Sequence, residues 1–267
     1  MQDLFQAGSL EYASYAEDVG VDSSVVRQFL EECQEKGYNF KNFIIGRFGK
    51  VAVSCTKKPF VRDLPHTSFS FAKSITAIAV GFAINEGLLH LDTTMGEIFE
   101  DVLSEKQLKN VKDISIEHLL TMTAGKGINF LANKEKTSWL KYFCDGRPKA
   151  KPGEKFLYIS ENTYVLSRML TEVTGLTISE YLKPRLFEPL GIEKPFWETD
   201  TEGYEAGGWG LFLKTEDIAK IAQCFLNMGV WDGVQVIPEE WIRLMTEPKI
   251  SDLPSLYAKD LGYGYQV

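Results

Sequence analysis

The chain is poor in the residues on which several common protein designs depend. Its four cysteines, Cys33, Cys55, Cys144 and Cys224, show neither close pairing nor metal-ligand spacing. That pattern excludes a disulfide framework or a thiolate metal site and points to free thiols. Only three histidines are present, His66, His90 and His118, and a Ser-His-Asp triad needs one of them oriented by a carboxylate. His118 falls in an amphipathic segment and His90 follows a turn, which suits structural roles for both. Basic residues are outnumbered 29 to 37, for a net charge of -8, and no run of six cations exists. Nucleic acid and anionic membrane surfaces, which require a basic patch, are therefore not expected partners. No apolar stretch approaches the roughly 20 residues of a membrane helix. The start, Met1-Gln-Asp-Leu-Phe5, lacks the basic and apolar regions of a signal peptide, so a cytoplasmic location is expected. Gly207-Gly-Trp-Gly210 does not follow a strand in a βαβ unit, which argues against a nucleotide loop. No cofactor and no metal are expected.

What is present is the composition of a globular protein of one or two domains, 44% hydrophobic and 25% charged. Asp22 caps a helix with Val26, Phe29, Leu30 and Cys33 on one face, ended by Gly37. Asn42 to Arg47 and Lys50 to Cys55 are β-rich runs joined around Phe48-Gly49, which predicts a hairpin. An apolar helix follows Pro65. From Gly87 to about Thr201 the signals are helical: Ser115 caps Ile116 to Thr123, and Glu161 to Val173 and Ser179 to Leu190 show helical apolar spacing. Thr215 caps a helix through Met228, and Pro238 opens another. Gly262-Tyr-Gly-Tyr-Gln-Val267 reads as an interrupted strand. Two early strands cannot form an independent sheet, so partner strands must come from beyond Val267 or from elsewhere.

The chemistry is carried by Ser70-Phe-Ala-Lys73. On a helix, residues three apart share a face about 5 to 6 Å apart, so a lysine amine reaches a serine hydroxyl. A helix start favours the anion formed in acyl transfer, and a lysine withdrawn from water gives up its proton near neutral pH. With 16 serines and 22 lysines, chance alone predicts roughly one such pair, and three occur. Ser54-Cys-Thr-Lys57 ends a β-like run before Lys58-Pro59, which blocks a helix. Ser138-Trp-Leu-Lys141 lies in the polar stretch Asn133 to Tyr142, read as a solvated surface helix with no N-terminal place for its serine. Only Ser70 opens a long apolar helix, with Thr67 and Ser68 upstream as caps.

Ordered blocks from about Gly20 to Val267 extend this reading. They are Ser70 to Gly81, Glu86-Gly-Leu-Leu-His-Leu-Asp92, Ile114 to Gly125, Pro152-Gly-Glu-Lys-Phe-Leu-Tyr158, Leu186-Phe-Glu-Pro-Leu-Gly-Ile192, and Gly207 to Leu211 with Asp217-Ile-Ala-Lys220. In these the chain resembles the serine β-lactamase and penicillin-binding-protein superfamily, in its class C and esterase-like branch. The resemblance implies an α+β, β-lactamase/transpeptidase-like fold: an antiparallel sheet flanked by helices plus a mainly helical domain, with the C-terminal strands missing from this chain. It divides the sequence into a sheet domain, 1–88 with 204–267, and a helical domain, 89–203.

The resemblance also implies roles for individual residues. Ser70 is the nucleophile, Lys73 its base, and Tyr158, in Tyr158-Ile-Ser160, the partner that shuttles protons. Serine stands at position 160 where the family's Tyr-x-Asn motif has asparagine, and a hydroxyl makes fewer bonds to a substrate amide. This is similar to the carboxylesterases and 6-aminohexanoate-dimer hydrolases, and it favours a small ester or amide substrate over a β-lactam. A competing register, Ser160-Glu-Asn162, resembles the Ser-Asp-Asn element of class A enzymes; the Pro-Gly-Glu-x-Phe-x-Tyr lead-in favours Tyr158. Ser160, Asn162 and Trp209 are candidate substrate contacts, with core packing as the other role for Trp209. The family's third element, a Lys-Thr-Gly or related triplet on a late strand, is not found, because Lys214-Thr215 continues into Glu216. The expected activity is serine acyl hydrolysis through an acyl-enzyme. The alternatives are a non-catalytic penicillin-binding-type sensor and a truncated, inactive hydrolase stabilised by homo-oligomerisation.

Overall fold

A computed structural model describes residues 8–127, 138–251, 253 and 261–267. The elements run β1 (Glu11–Tyr12), α1 (Ser23–Glu35), β2 (Asn42–Arg47), β3 (Lys50–Thr56), β4 (His66–Thr67), α2 (Phe71–Asn85), α3 (Met95–Phe99), α4 (Glu105–Val111), α5 (Ile116–Leu120) and α6 (Trp139–Asp145). They continue with α7 (Glu161–Thr174), α8 (Ile178–Leu182), a π-helical turn (Lys183–Phe187), β5 (Phe196–Trp197), β6 (Leu211–Leu213), α9 (Thr215–Leu226), β7 (Val230–Trp231), β8 (Val234–Gln235) and α10 (Glu239–Thr246). One sheet has the order β1-β3-β2, with β1 parallel and β2 antiparallel to β3 and a register shift at Ile45/Gly46. A second, antiparallel, has the order β4-β6-β5.

Local chemistry accounts for most of these boundaries. Asp22 accepts from the Ser24 N–H to start α1, and Gly37 takes the left-handed φ of 65° beyond its end. Ser115 accepts from the His118 N–H at the start of α5. Two caps move by one residue. Asp217 bonds the Lys214 N–H at 3.0 Å, making Lys214 rather than Thr215 the cap of α9, and Pro238 stands just before α10.

Three expectations fail. Ser138 is the residue that caps α6, and α6 is not solvated: Trp139, Leu140, Phe143 and Cys144 are all buried. The part of that stretch from 133 to 137 lies outside the described residues. Thr67 and Ser68 do not cap α2; Thr67 pairs with Phe212 and the Ser68 N–H donates to the Leu211 carbonyl at 2.8 Å, so both belong to the sheet that feeds the helix. The terminal run is not a strand. Tyr263 makes one antiparallel bridge to Ile250, and the backbone then turns, with the Gly264 N–H on the Val267 carbonyl at 3.0 Å.

Helix α2 lies in the middle of the core, buried on every side from Ala72 to Ala83 except at Ser74. An all-round apolar helix can be stable only when surrounded, and here α7, α8 and α10 pack against it. Trp241 of α10 donates its indole N–H to the Ala77 carbonyl at 2.9 Å and lies where a Cβ on Gly81 would be, 2.1 Å from that nitrogen. Gly81→Ala is therefore expected to destabilise the protein by about 3 kcal/mol through overpacking, measurable by chemical denaturation.

Candidate active site

The chain reaches Ser70 from the sheet. Strand β4 pairs with β6, then Phe69 takes the left-handed φ of 50°, which is costly for a bulky side chain, and turns the backbone into α2. Ser70 adopts helical angles, φ -71° and ψ -8°, so Lys73 stands one turn further on the same face. The serine is exposed and the lysine is 2% exposed. Lys73 Nζ lies 3.3 Å from Ser70 Oγ and donates to the Gly208 carbonyl at 2.7 Å. Burial brings its pKa down from 10.5 to about 8, against an opposing pull from the Glu161 carboxylate. A buried amine with that pKa is unprotonated in a sizeable fraction near neutrality and can take the serine proton.

The carbonyl that holds Lys73 belongs to the loop after β5, which is stitched to both central helices. Tyr164 of α7 donates to Asp200 at 2.6 Å, Ser167 to the Glu205 carbonyl at 2.7 Å, and Thr76 of α2 to the Gly207 carbonyl at 2.9 Å. Glycine is required for this approach. A Cβ on Gly208 would lie 2.6 Å from the Ser160 carbonyl, and one on Gly207, at φ 64°, 2.8 Å from the Thr163 carbonyl. Gly208→Ala is expected to push the loop off Lys73 and slow serine acylation about ten-fold, as read from the rate of covalent labelling.

Tyr158 faces the same amine, its half-buried ring centroid 5.2 Å from Lys73 Nζ. Its ring meets Tyr263 edge-on at 6.3 Å, and Tyr263 meets Phe156 at 5.2 Å; burial, then the neighbouring Tyr158, raises the Tyr263 pKa. Ser160 caps α7 beside the glycine loop. Asn162 and Trp209 differ in burial. Asn162 is 1% exposed with its amide donating to Met122 Sδ at 3.5 Å, and the half-buried Trp209 packs on Trp139 at 5.2 Å. His66 sits in β4 edge-on to Phe60, its pKa lowered by burial and by Lys41. The sequence gives no signal for the Gly208 carbonyl, whose role depends on backbone proximity, or for Glu161, which stands between the candidate residues Ser160 and Asn162. The four cysteines are free, and the described residues contain no group of three or more potential metal ligands.

The family model described as Beta-lactamase matches residues 27–267. The chain belongs to the beta-lactamase family. This beta-lactamase-family chain is 24% identical over 217 residues to the 6-aminohexanoate-dimer hydrolase of Paenarthrobacter ureafaciens, covering 75% of the chain and 55% of that protein. It is 23% identical over 180 residues to a beta-lactamase of Yersinia enterocolitica, covering 66% and 44%. It thus spans about half the length of the curated relatives it matches. Among solved structures, the octameric penicillin-binding protein homologue from Pyrococcus abyssi superposes with a TM-score of 0.72 at 20% identity, over 92% of this chain and 64% of that one. The fold of this family member is accordingly β-lactamase/transpeptidase-like, with the relatives' remaining length outside the matched region. No helix among the described residues is long and apolar enough to cross a membrane.

Proposed function

We propose that the protein is a serine acyl hydrolase acting on a small ester or amide through an acyl-enzyme. The observation that carries this is the Ser70–Lys73 pair, 3.3 Å apart, with the lysine buried and held near a pKa of about 8. Lys73 takes the Ser70 proton as Oγ bonds to the substrate carbonyl carbon, whose oxygen becomes an oxyanion. Collapse breaks the bond to the leaving group, which departs with the proton relayed from Lys73, Tyr158 lying beside it. Water then attacks the acyl-serine by the same route in reverse and restores the hydroxyl. The preference for a simple ester or amide over a β-lactam is supported by Ser160, which stands where β-lactam recognition would use an asparagine amide, and by the relative named for hydrolysing the 6-aminohexanoate dimer.

Intact mass spectrometry of the chain with a fluorophosphonate probe, followed by peptide mapping, tests the assignment. A single adduct on Ser70, lost in Ser70→Ala, is the expected result; no adduct sinks the proposal. A β-lactam arm separates a sensor from a hydrolase. Stable acylation without release of product marks the sensor, and transient or absent acylation with turnover of simple esters marks the hydrolase.

A further inference from the structure

The segment Leu261–Val267 is tied into the centre of the molecule by Tyr265, which bonds Glu117 at 2.7 Å, and by Gln266. Gln266 is 4% exposed and has a φ of 64°, a left-handed conformation that a non-glycine residue keeps only where its surroundings over-determine it. Four hydrogen bonds do so. Its amide Nε2 donates to the Leu119 and Leu120 carbonyls at 3.1 and 2.7 Å at the C-terminal end of α5, where the Leu119 carbonyl also accepts from the Met122 N–H. Its Oε1 accepts from Thr163 of α7 at 2.7 Å, and its backbone carbonyl accepts from Ser74 of α2 at 2.9 Å.

Each of these partners is close in sequence to a residue of the site. Ser74 follows Lys73 directly. Thr163 lies in the first turn of α7, whose cap Ser160 presses against the Gly208 loop that holds the lysine. Beyond α5, Met122 also has a positive φ, 60°, and its carbonyl accepts from the N–H of Leu157, the residue before Tyr158, at 2.8 Å. Gln266 therefore joins the helix carrying Ser70 and Lys73 to the two elements that present Tyr158 and Gly208.

We infer that Gln266 is a positioning residue of the acylation site, setting the spacing between α2 and α7 that keeps Lys73 enclosed against Ser70. The inference rests on the proposed hydrolase reading. Its chemistry is specific to an amide: a carboxylate in the same place would turn an acceptor toward the Leu119 and Leu120 carbonyls, and an apolar side chain would remove the donor that both receive from Gln266. The groups facing Lys73 are Ser70 on its own helix, the Gly208 carbonyl, the Tyr158 ring and Glu161. Loosening α2 from α7 admits water to this enclosure, which raises the lysine pKa toward its ordinary value.

The test uses the chain as it stands and follows the rate of Ser70 labelling by a fluorophosphonate from pH 6 to 10, with thermal unfolding measured in parallel. Gln266→Glu is expected to slow labelling about ten-fold near neutral pH and to move the acid limb to higher pH. Ser74→Ala, which removes a single bond to Gln266 and keeps α2 intact, is expected to do the same in smaller measure, and it keeps the inference testable if Gln266→Glu fails to fold. Tyr265→Phe loosens the same segment by removing its 2.7 Å bond to Glu117 without touching Ser74 or Thr163; it is expected to lower the melting temperature and leave the pH profile in place. Folded Ser74→Ala and Gln266→Glu proteins with the wild-type profile would overturn the positioning role alone. A wild-type chain that is never labelled at Ser70 overturns the hydrolase reading itself.

Discussion

Replacing Lys73 by methionine is expected to slow acylation of Ser70 by about 10²- to 10⁴-fold, the usual worth of a positioned general base. Methionine has similar length and fills the same buried space, so the loss would report proton transfer rather than collapse of the pocket. The substitution removes an amine whose pKa has been driven from 10.5 to about 8 by burial. At pH 7 that burial costs roughly 3 kcal/mol, offset in part by the bond to the Gly208 carbonyl. The variant should therefore be at least as stable as the wild type at pH 7 in chemical denaturation. A large drop in stability would show that Lys73 is chiefly a structural tie between α2 and the glycine loop.

The pH profile should carry the same signature, with the labelling rate falling about ten-fold per unit below pH 8 and close to a hundred-fold by pH 6. Glu161→Gln is expected to move the inflection down, because the carboxylate is the charge that raises the lysine pKa. A rate that is flat from pH 6 to 9 would remove Lys73 from the role of base. Stability should respond in the opposite region. Below about pH 8 the folded and unfolded chains both carry the proton and the desolvation cost is present in full. Between about 8 and 10.5 only the unfolded chain keeps the proton, so stability rises with pH until the cost disappears. Lys126, also buried and lowered to about 8, adds to the same slope. Measuring the double change Lys73→Met with Lys126→Met isolates the two.

The features legible in the sequence were those decided within a few residues. The Asp22 and Ser115 caps, the hairpin from Asn42 to Thr56 and the Ser70–Lys73 spacing all depend on neighbours along the chain. The failures share another cause. Ser138 looked polar and solvated because half of its helix's character, the burial of Trp139 and Phe143, comes from distant elements. The terminal run looked like a strand because its aromatics alternate, yet the turn is dictated by carbonyls on α5 that Gln266 reaches across the fold.

Among the three Ser-x-x-Lys matches, the sequence by itself singled out the serine that opens a long helix apolar on every face, because such a helix must be surrounded, although Ser138 proved to open a shorter buried helix as well. It pointed to the family through ordered blocks and to a candidate nucleophile through spacing. Only the tertiary structure decided that Lys73 is 2% exposed, that its amine rests on the Gly208 carbonyl, and that Asn162 is buried with its amide on Met122 Sδ. Those are facts of packing. Desolvation sets the lysine's basicity, and desolvation depends on what the rest of the chain brings within a few ångströms, which no local pattern of residues records.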